Sequence, residues 1–336
     1  MHKQQPEPEK DEGLNLTKSL CFAISLSALF TVVLLNVPIL KSNAIAAKNS
    51  NAASKLTLGE QAYDAFEEGK YITALKLAEK AAEKGEANAY TLLGRIYAAG
   101  LGVAKSSKTA AKWYELGAKK DEVHSLVALG KQFAIGDGVK KNKLKAANYF
   151  ERAAKKGEAQ AQYNLALIYA KGDGRKQDVF AAAEWLKKAA ANELVVAQYD
   201  LGTLYSIGRG VKKDPLKAAQ WTGKAAKQGH SAAELEYAIM LFKGRGVKKD
   251  QKQAFQYFKS SASKGNPVAQ NRLARLYAYG VATESNPVQA AKWHMIARSA
   301  GIADMKMDLF IAKLPKDMKA KAQAELDAMQ GTNGLY

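Results

Sequence analysis

The chain holds a single cysteine, Cys21, and four histidines among its 336 residues. One thiol cannot build an internal disulfide framework or a cysteine-ligated zinc or iron–sulfur site. His124, His230 and His294 stand far apart, and no H-E-x-x-H, G-x-S-x-G or P-loop pattern occurs. These absences remove the usual constellations for metal, acyl-transfer and nucleotide chemistry, so no catalytic residue, metal or cofactor is expected. Proline is scarce at seven residues, which together with abundant Ala, Lys, Leu and Tyr argues against an all-β chain. Acid is scarce relative to base: 32 Asp+Glu face 51 Lys+Arg, a net charge of +19. Such an excess raises affinity for polyanions. The basic residues are nevertheless spread along the chain, as on ordinary solvated helix faces. With 47% apolar and 25% charged residues, wholesale disorder is excluded.

Long uncharged runs are missing too, with one exception. Residues 20–40 read LCFAISLSALFTVVLLNVPIL. At ~1.5 Å per residue this run is long enough to cross a hydrocarbon core of ~30 Å. It is a targeting segment and stands outside the fold. In one reading it is a signal-peptide core, with Pro38 breaking the helix and Ala44-Ile45-Ala46 offering small residues for cleavage near Ala46. In the other it is an uncleaved transmembrane anchor, which its length and the acidic stretch before it support. Lysine flanks are balanced (Lys3, Lys10, Lys18; Lys41, Lys48, Lys55) and do not set orientation. The general habit of such N-terminal segments is export of the domain behind them. The expected location is therefore the cell envelope, anchored in the inner membrane and facing the periplasm, or periplasmic after cleavage. Residues 1–19 form a polar lead and residues 41–55, rich in Ala, Ser and Asn, a linker.

What the chain does have is an internal period. Gly100, Gly136, Gly172, Gly208, Gly244 and Gly280 are each 36 apart. Gly102, Gly138, Gly174, Gly210 and Gly246 stand two residues further on, with Ala282 as the sixth. Leu93, Leu129, Leu165, Leu201, Tyr237 and Leu273 keep a second register, and Trp113, Tyr149, Trp185, Trp221, Tyr257 and Trp293 another. Each copy reads as two helices. Helix A, residues 87–99 in the first copy, has apolar residues at i, i+3, i+4 and i+7 and stops at the glycine pair. Asn142, Asp214 and Asp250 are placed as N-caps of helix B, which carries Ala-Ala-x-Trp. The small column Gly94, Gly130, Ala166, Gly202, Ala238 and Ala274 lets neighbouring helices approach closely.

The pattern A-x-x-x-L-G-x-x-Y-x-x-G-x-G-V, then D-x-x-K-A-A-x-W, then K-A-A-x-x-G resembles the Sel1-like repeat. Residues 197–229 (AQYDLGTLYSIGRGVKKDPLKAAQWTGKAAKQG) are nearly a consensus copy. The resemblance covers residues 87–301 as six copies: 87–121, 122–157, 158–193, 194–229, 230–265 and 266–301. It implies an all-α, right-handed α-solenoid, related to tetratricopeptide arrays, that binds proteins or assembles complexes. Residues 56–86 look like a tetratricopeptide-like starting unit. Residues 302–336 read as a C-terminal cap: Leu309 falls 36 after Leu273, so residues 302–313 mimic one more helix A, and Pro315 opens a final helix.

The registers are packing positions, so a partner is expected on the residues that the registers leave open. With the core leucines at 0°, the opposite face of helix A, at about 200–260°, carries columns that vary in size and charge. From them we take Leu92, Arg95, Lys131, Asn164, Lys171, Asp200, Thr203, Glu236, Ile239, Lys243, Arg272, Arg275 and Tyr279 as candidate partner-binding residues. In solenoids of the family resembled this face lines the concave side. It is basic toward both ends and acidic in the middle, which suits an extended polypeptide of mixed charge. The expected function is a non-catalytic protein–protein scaffold, adaptor or regulator in the envelope. The rival readings are a basic binder of envelope polymer or an anionic surface, and a membrane-tethered cytoplasmic scaffold. The aromatic columns sit in strict register as core, so nucleic acid is not an expected partner.

Overall fold

In a computed structural model the structure describes residues 56–333. The expectations for the polar lead, the hydrophobic run and the linker lie outside these residues. Sixteen helices succeed one another, and no strand occurs among the described residues. The starting unit is α1 (Leu58–Glu67) and α2 (Tyr71–Glu83). Six pairs come next: α3 (Ala87–Ala99) with α4 (Ser107–Lys119), α5 (Val123–Ile135) with α6 (Lys143–Lys155), and α7 (Ala159–Lys171) with α8 (Val179–Ala191). Then come α9 (Val195–Ile207) with α10 (Pro215–Lys227), α11 (Ser231–Lys243) with α12 (Gln251–Ser263), and α13 (Pro267–Tyr279) with α14 (Pro287–Ser299). Last are α15 (Met305–Ala312) and α16 (Lys316–Asn333). From α1 to α15 each helix packs on the one before and the one after, which is the α-solenoid expected, and α16 packs back on α14. Residues 56–333 have their own core from end to end, opened by a capping box in which Thr57 and Glu60 satisfy each other's backbone N–H.

The local signals act as the sequence suggests. Asn142, Asp214 and Asp250 accept the N3 backbone N–H of α6, α10 and α12 at 2.9, 3.0 and 2.8 Å. Each helix A ends on a left-handed glycine, as at Gly208 with φ 79°. The second glycine has a different task. A Cβ on Gly246 would stand 1.9 Å from the carbonyl oxygen of Pro215, the first residue of α10 in the preceding copy. The loop of one copy is therefore seated directly on the backbone that opens helix B of the copy before. Ala282, sixth in this column, keeps the left-handed φ of 62° that its glycine counterparts have.

Two side-chain systems lock the helices together, within a copy and from one copy to the next. Core leucines Leu93, Leu129, Leu165, Leu201 and Leu273 are wholly buried. The small column of helix A receives the residue after the aromatic register: a Cβ on Gly94 would meet the ring of Tyr114 at 2.3 Å, and one on Gly130 the ring of Phe150 at 2.9 Å. The Trp register is half-buried instead of core for all but Trp293. Its outer face is covered by lysines, with Lys188 4.0 Å above Trp185 and Lys224 4.2 Å above Trp221. The second system is polar. The first turn of helix A donates to the last turn of the preceding helix B, from Gln198 to the Ala190 carbonyl at 3.3 Å and from Gln270 to Ala262 at 3.2 Å. The C-cap of helix B in the same copy donates to that glutamine in turn, from Asn192 to Gln162 at 3.0 Å and from Gln228 to Gln198 at 2.8 Å. These bonds occupy carbonyls that a helix end leaves orphaned.

At the C-terminus the register slips. Leu309 is exposed and Met307, two residues earlier, is fully buried. The reason is that α15 starts at Met305, two residues later than a strict repeat of α13 would, with Asp304 as its N-cap.

The seating of the second glycine is testable. Gly246→Ala drives a methyl into the Pro215 carbonyl at a left-handed φ and is expected to cost about 3 kcal/mol or more. Gly265→Ala has the same φ penalty but open space, so about 1 kcal/mol is expected. Urea unfolding of the two variants measures the difference.

Candidate functional site: the helix A face

Toward the two ends of the array successive A helices approach one another (α1 with α3, α3 with α5, α13 with α15). The candidate residues lie on the face of helix A opposite the core leucines. The structure sorts them.

Leu92 is a correction. It is 0% exposed and belongs to the cluster formed with Ala62, Ala65 and Ala74, because α1 covers that flank of α3. It cannot touch a partner. Arg275 is a second correction: its Nε donates to Asp304 Oδ2 at 2.7 Å, and Asn271 donates to the same oxygen at 2.9 Å. Arg275 holds the C-terminal cap in place. Burial pushes the Asp304 carboxyl up, but the bonds from Arg275, Asn271 and the Met307 N–H outweigh it and hold the pKa at about 2. Arg95 lies 4.6 Å over the ring of Phe66, half-buried against the starting unit. Ile239 packs into the core of the fifth and sixth copies, and Tyr279 leans on Phe310 of the cap at 6.2 Å.

Lys131, Lys171, Lys243 and Arg272 are exposed on this face. Between them lies a half-buried centre. The Tyr163 hydroxyl, on α7, donates to Asp200 Oδ2, on α9, at 2.8 Å. Burial pushes Asp200 up to about 6, partly offset by that hydrogen bond. Glu236, in the same position one copy on, is also raised by burial, with Arg245 pulling weakly the other way. Tyr199 stands between the two carboxylates, its own pKa raised to about 12 by burial first and then by Glu236 and Asp200. Thr203 closes the row with a bond from its hydroxyl to the Tyr199 carbonyl, and Asn164 continues it on α7, accepting from Gln160 at 3.3 Å. No lysine or arginine forms an ion pair with Asp200 or Glu236 among the described residues. Sequence reasoning missed Tyr163 and Tyr199, because they fall between the leucine register and the outward columns.

The three histidines in the body of the chain do not converge. His230 caps α11, its Nδ1 accepting the Ala233 N–H at 3.2 Å. His294 is buried against Asp308 of α15 at 2.8 Å. His124 is exposed. No group of three or more metal-ligating side chains occurs among the described residues.

Comparison with known proteins decides the family. The Sel1 repeat model matches residues 67–86, 87–122, 123–158, 159–194, 195–230, 231–266 and 267–301. The chain belongs to the Sel1 repeat family. A seventh match reaches into the starting unit, where the sequence suggests a tetratricopeptide-like element. Among solved structures, the chain is similar to c5321, a protective antigen present in uropathogenic Escherichia coli strains and displaying an SLR fold. Identity is 30% over 76% of this chain and 59% of that one, with a TM-score of 0.68. This chain thus spans less than two thirds of that antigen's length. It is also similar to a Sel1 repeat protein from Oxalobacter formigenes, at 28% identity over 74% of this chain and all of that one, TM-score 0.62. No curated protein matches. Sel1 repeat proteins are in general non-catalytic scaffolds for protein interaction.

Asp304 and Asp200 give opposite expectations. Asp304→Ala removes the cap of α15 and its ion pair with Arg275; a loss of about 2–4 kcal/mol at pH 7 is expected from urea unfolding. Because the Asp304 pKa is depressed in the fold, its contribution is complete above about pH 4 and is lost as pH falls toward 2. Asp200 has the opposite sign. Its raised pKa means the folded chain gives up stability as pH rises from about 4 to 6. Asp200→Asn, which still accepts from Tyr163, should therefore be more stable than the natural chain by about 1–2 kcal/mol at pH 7.5 and equal to it near pH 4.

Proposed function

We propose that this protein is a non-catalytic interaction scaffold of the cell envelope whose helix A face holds an extended partner segment, with a basic side chain of the partner seated between Asp200 and Glu236. One observation carries the reading: two half-buried carboxylates one copy apart, flanked by Tyr163 and Tyr199, and without an ion-pair partner among the described residues. Leaving a carboxylate so placed costs free energy that a scaffold has no structural reason to bear, and an incoming cation relieves it. The lysines and Arg272 toward the ends of the face suit acidic side chains of the same segment. The envelope location rests on the hydrophobic run at residues 20–40 and its export habit.

The test is site-specific photo-crosslinking in intact cells. A photoreactive residue at Thr203 or Asn164 is expected to trap a defined adduct, and one at Glu184 on the outer side of α8 is not. Asp200→Lys with Glu236→Lys should abolish the adduct while the melting temperature stays within a few degrees. Adducts of equal yield from both sides, or adducts indifferent to the charge reversal, overturn the reading.

A further inference from the structure

The basic excess that is scattered along the sequence is gathered by the fold. The loops from helix A to helix B line one edge of the array, and those of Gly102, Gly138, Gly174, Gly210 and Gly246 are each seated on the start of the helix B before it. A Cβ on Gly174 would stand 2.3 Å from the Lys143 carbonyl, and one on Gly210 2.2 Å from that of Val179. Residues 36 apart thereby become neighbours along one edge. On this edge lie the pairs Lys140-Lys141, Lys212-Lys213 and Lys248-Lys249, all exposed. Among the described residues no carboxylate pairs with any of the six.

The same edge carries large apolar side chains in the second position of successive B helices. Leu144, Phe180 and Leu216 are 57%, 69% and 58% exposed. Their neighbours at the ends of the A helices, Ile135 and Ile207, are exposed as well. No packing register requires them, since the core is complete without them. Phe180 shares an open hollow with Arg175 and Lys176 of its own loop and Arg209 of the next, so apolar and basic groups alternate across copies.

We infer that this loop edge docks on an anionic lipid surface, lysines at the headgroups and Leu144, Phe180 and Leu216 dipping into the acyl boundary. The charge excludes a second copy of the same edge, because like rows of lysine repel. A soluble polyanion would use the lysines and leave the leucines and Phe180 in water. A row of aliphatic and aromatic groups interleaved with lysine is what an interfacial surface requires. The helix A face takes no part, so either reading can fail alone.

Residues 56–336 are a compact unit with its own core and leave out both the hydrophobic run and the one cysteine. This chain is expected to cosediment with vesicles containing phosphatidylglycerol at least tenfold more tightly than with pure phosphatidylcholine, and less so as salt rises. Changing the six lysines to Gln should lower the affinity at least tenfold. Leu144→Ser, Phe180→Ser and Leu216→Ser together should lower it severalfold at fixed salt, with the circular-dichroism melt unchanged because all three are exposed. An environment-sensitive dye on Phe180→Cys should brighten on anionic vesicles and be quenched by brominated acyl chains; the same dye on Lys120→Cys, at the other end of the helices, should not. The inference is overturned if anionic vesicles are not bound. It is equally overturned if polyphosphate is bound as tightly, the three serines change nothing and the dye at residue 180 stays in water, which would make the edge a polyanion site.

Discussion

One contact sets the geometry of the whole array: the second glycine of each loop pressed on the first backbone carbonyls of the preceding helix B. At Gly138, Gly174, Gly210 and Gly246 a Cβ would stand 1.9–2.3 Å from a carbonyl oxygen, and all keep a left-handed backbone, as does Ala282 in the last copy. The contact fixes how far each copy advances and turns relative to the last. Once it is fixed, the leucine register, the Gly-to-aromatic sockets and the Gln-to-carbonyl bonds fall into line, because each is the same pair of positions repeated every 36 residues. In a quasi-one-dimensional fold such nearest-neighbour terms add along the chain, so a small term repeated six times decides whether the array holds.

Most of this architecture is legible in the sequence because it is periodic. The glycine pairs, the Asn142, Asp214 and Asp250 caps and the leucine column announce themselves, since each serves the same backbone need in every copy. Departures are legible as departures but not in their consequence. Arg175 replaces the valine of its register, and its guanidinium reaches back to Asn148 at 2.5 Å and Glu151 at 2.9 Å, so an ion pair stands in for an apolar contact between the copies. The slip at Leu309 could not be read, because it depends on where Asp304 caps a helix of only eight residues.

The candidate site was legible by column and not by residue. A helical wheel places Leu92, Asp200 and Glu236 at one angle. It says nothing of what stands beside that angle, and for Leu92 the neighbour is α1, which seals it into the core. The same flank in the middle copies is lined by Tyr163 and Tyr199, which half-bury the carboxylates without neutralising them. Arg275 looks outward on the wheel but meets Asp304, a residue beyond the last copy. Ends of a solenoid differ from its middle because one neighbour is missing and a cap replaces it, so a columnwise argument is weakest at its two ends.

The basic residues show the reverse relation. Along the chain they look dispersed, which is why composition alone favours ordinary solvated faces. A period of 36 converts dispersion along the sequence into adjacency in space: lysines one full copy apart become a single row. Burial accounts for none of Leu144, Phe180 and Leu216, and ion pairing accounts for none of the lysine pairs between them. The same columns carry Ala104, Gln177, Glu284 and Ser285 in place of lysine and Lys108 and Lys252 in place of the apolar residue, so the edge is basic and apolar together in the middle copies and not at the two ends. The coincidence of both features on one edge of the middle copies, at the end of the helices away from the Gln-to-carbonyl bonds, has no source in the core, and docking on an anionic surface would account for it.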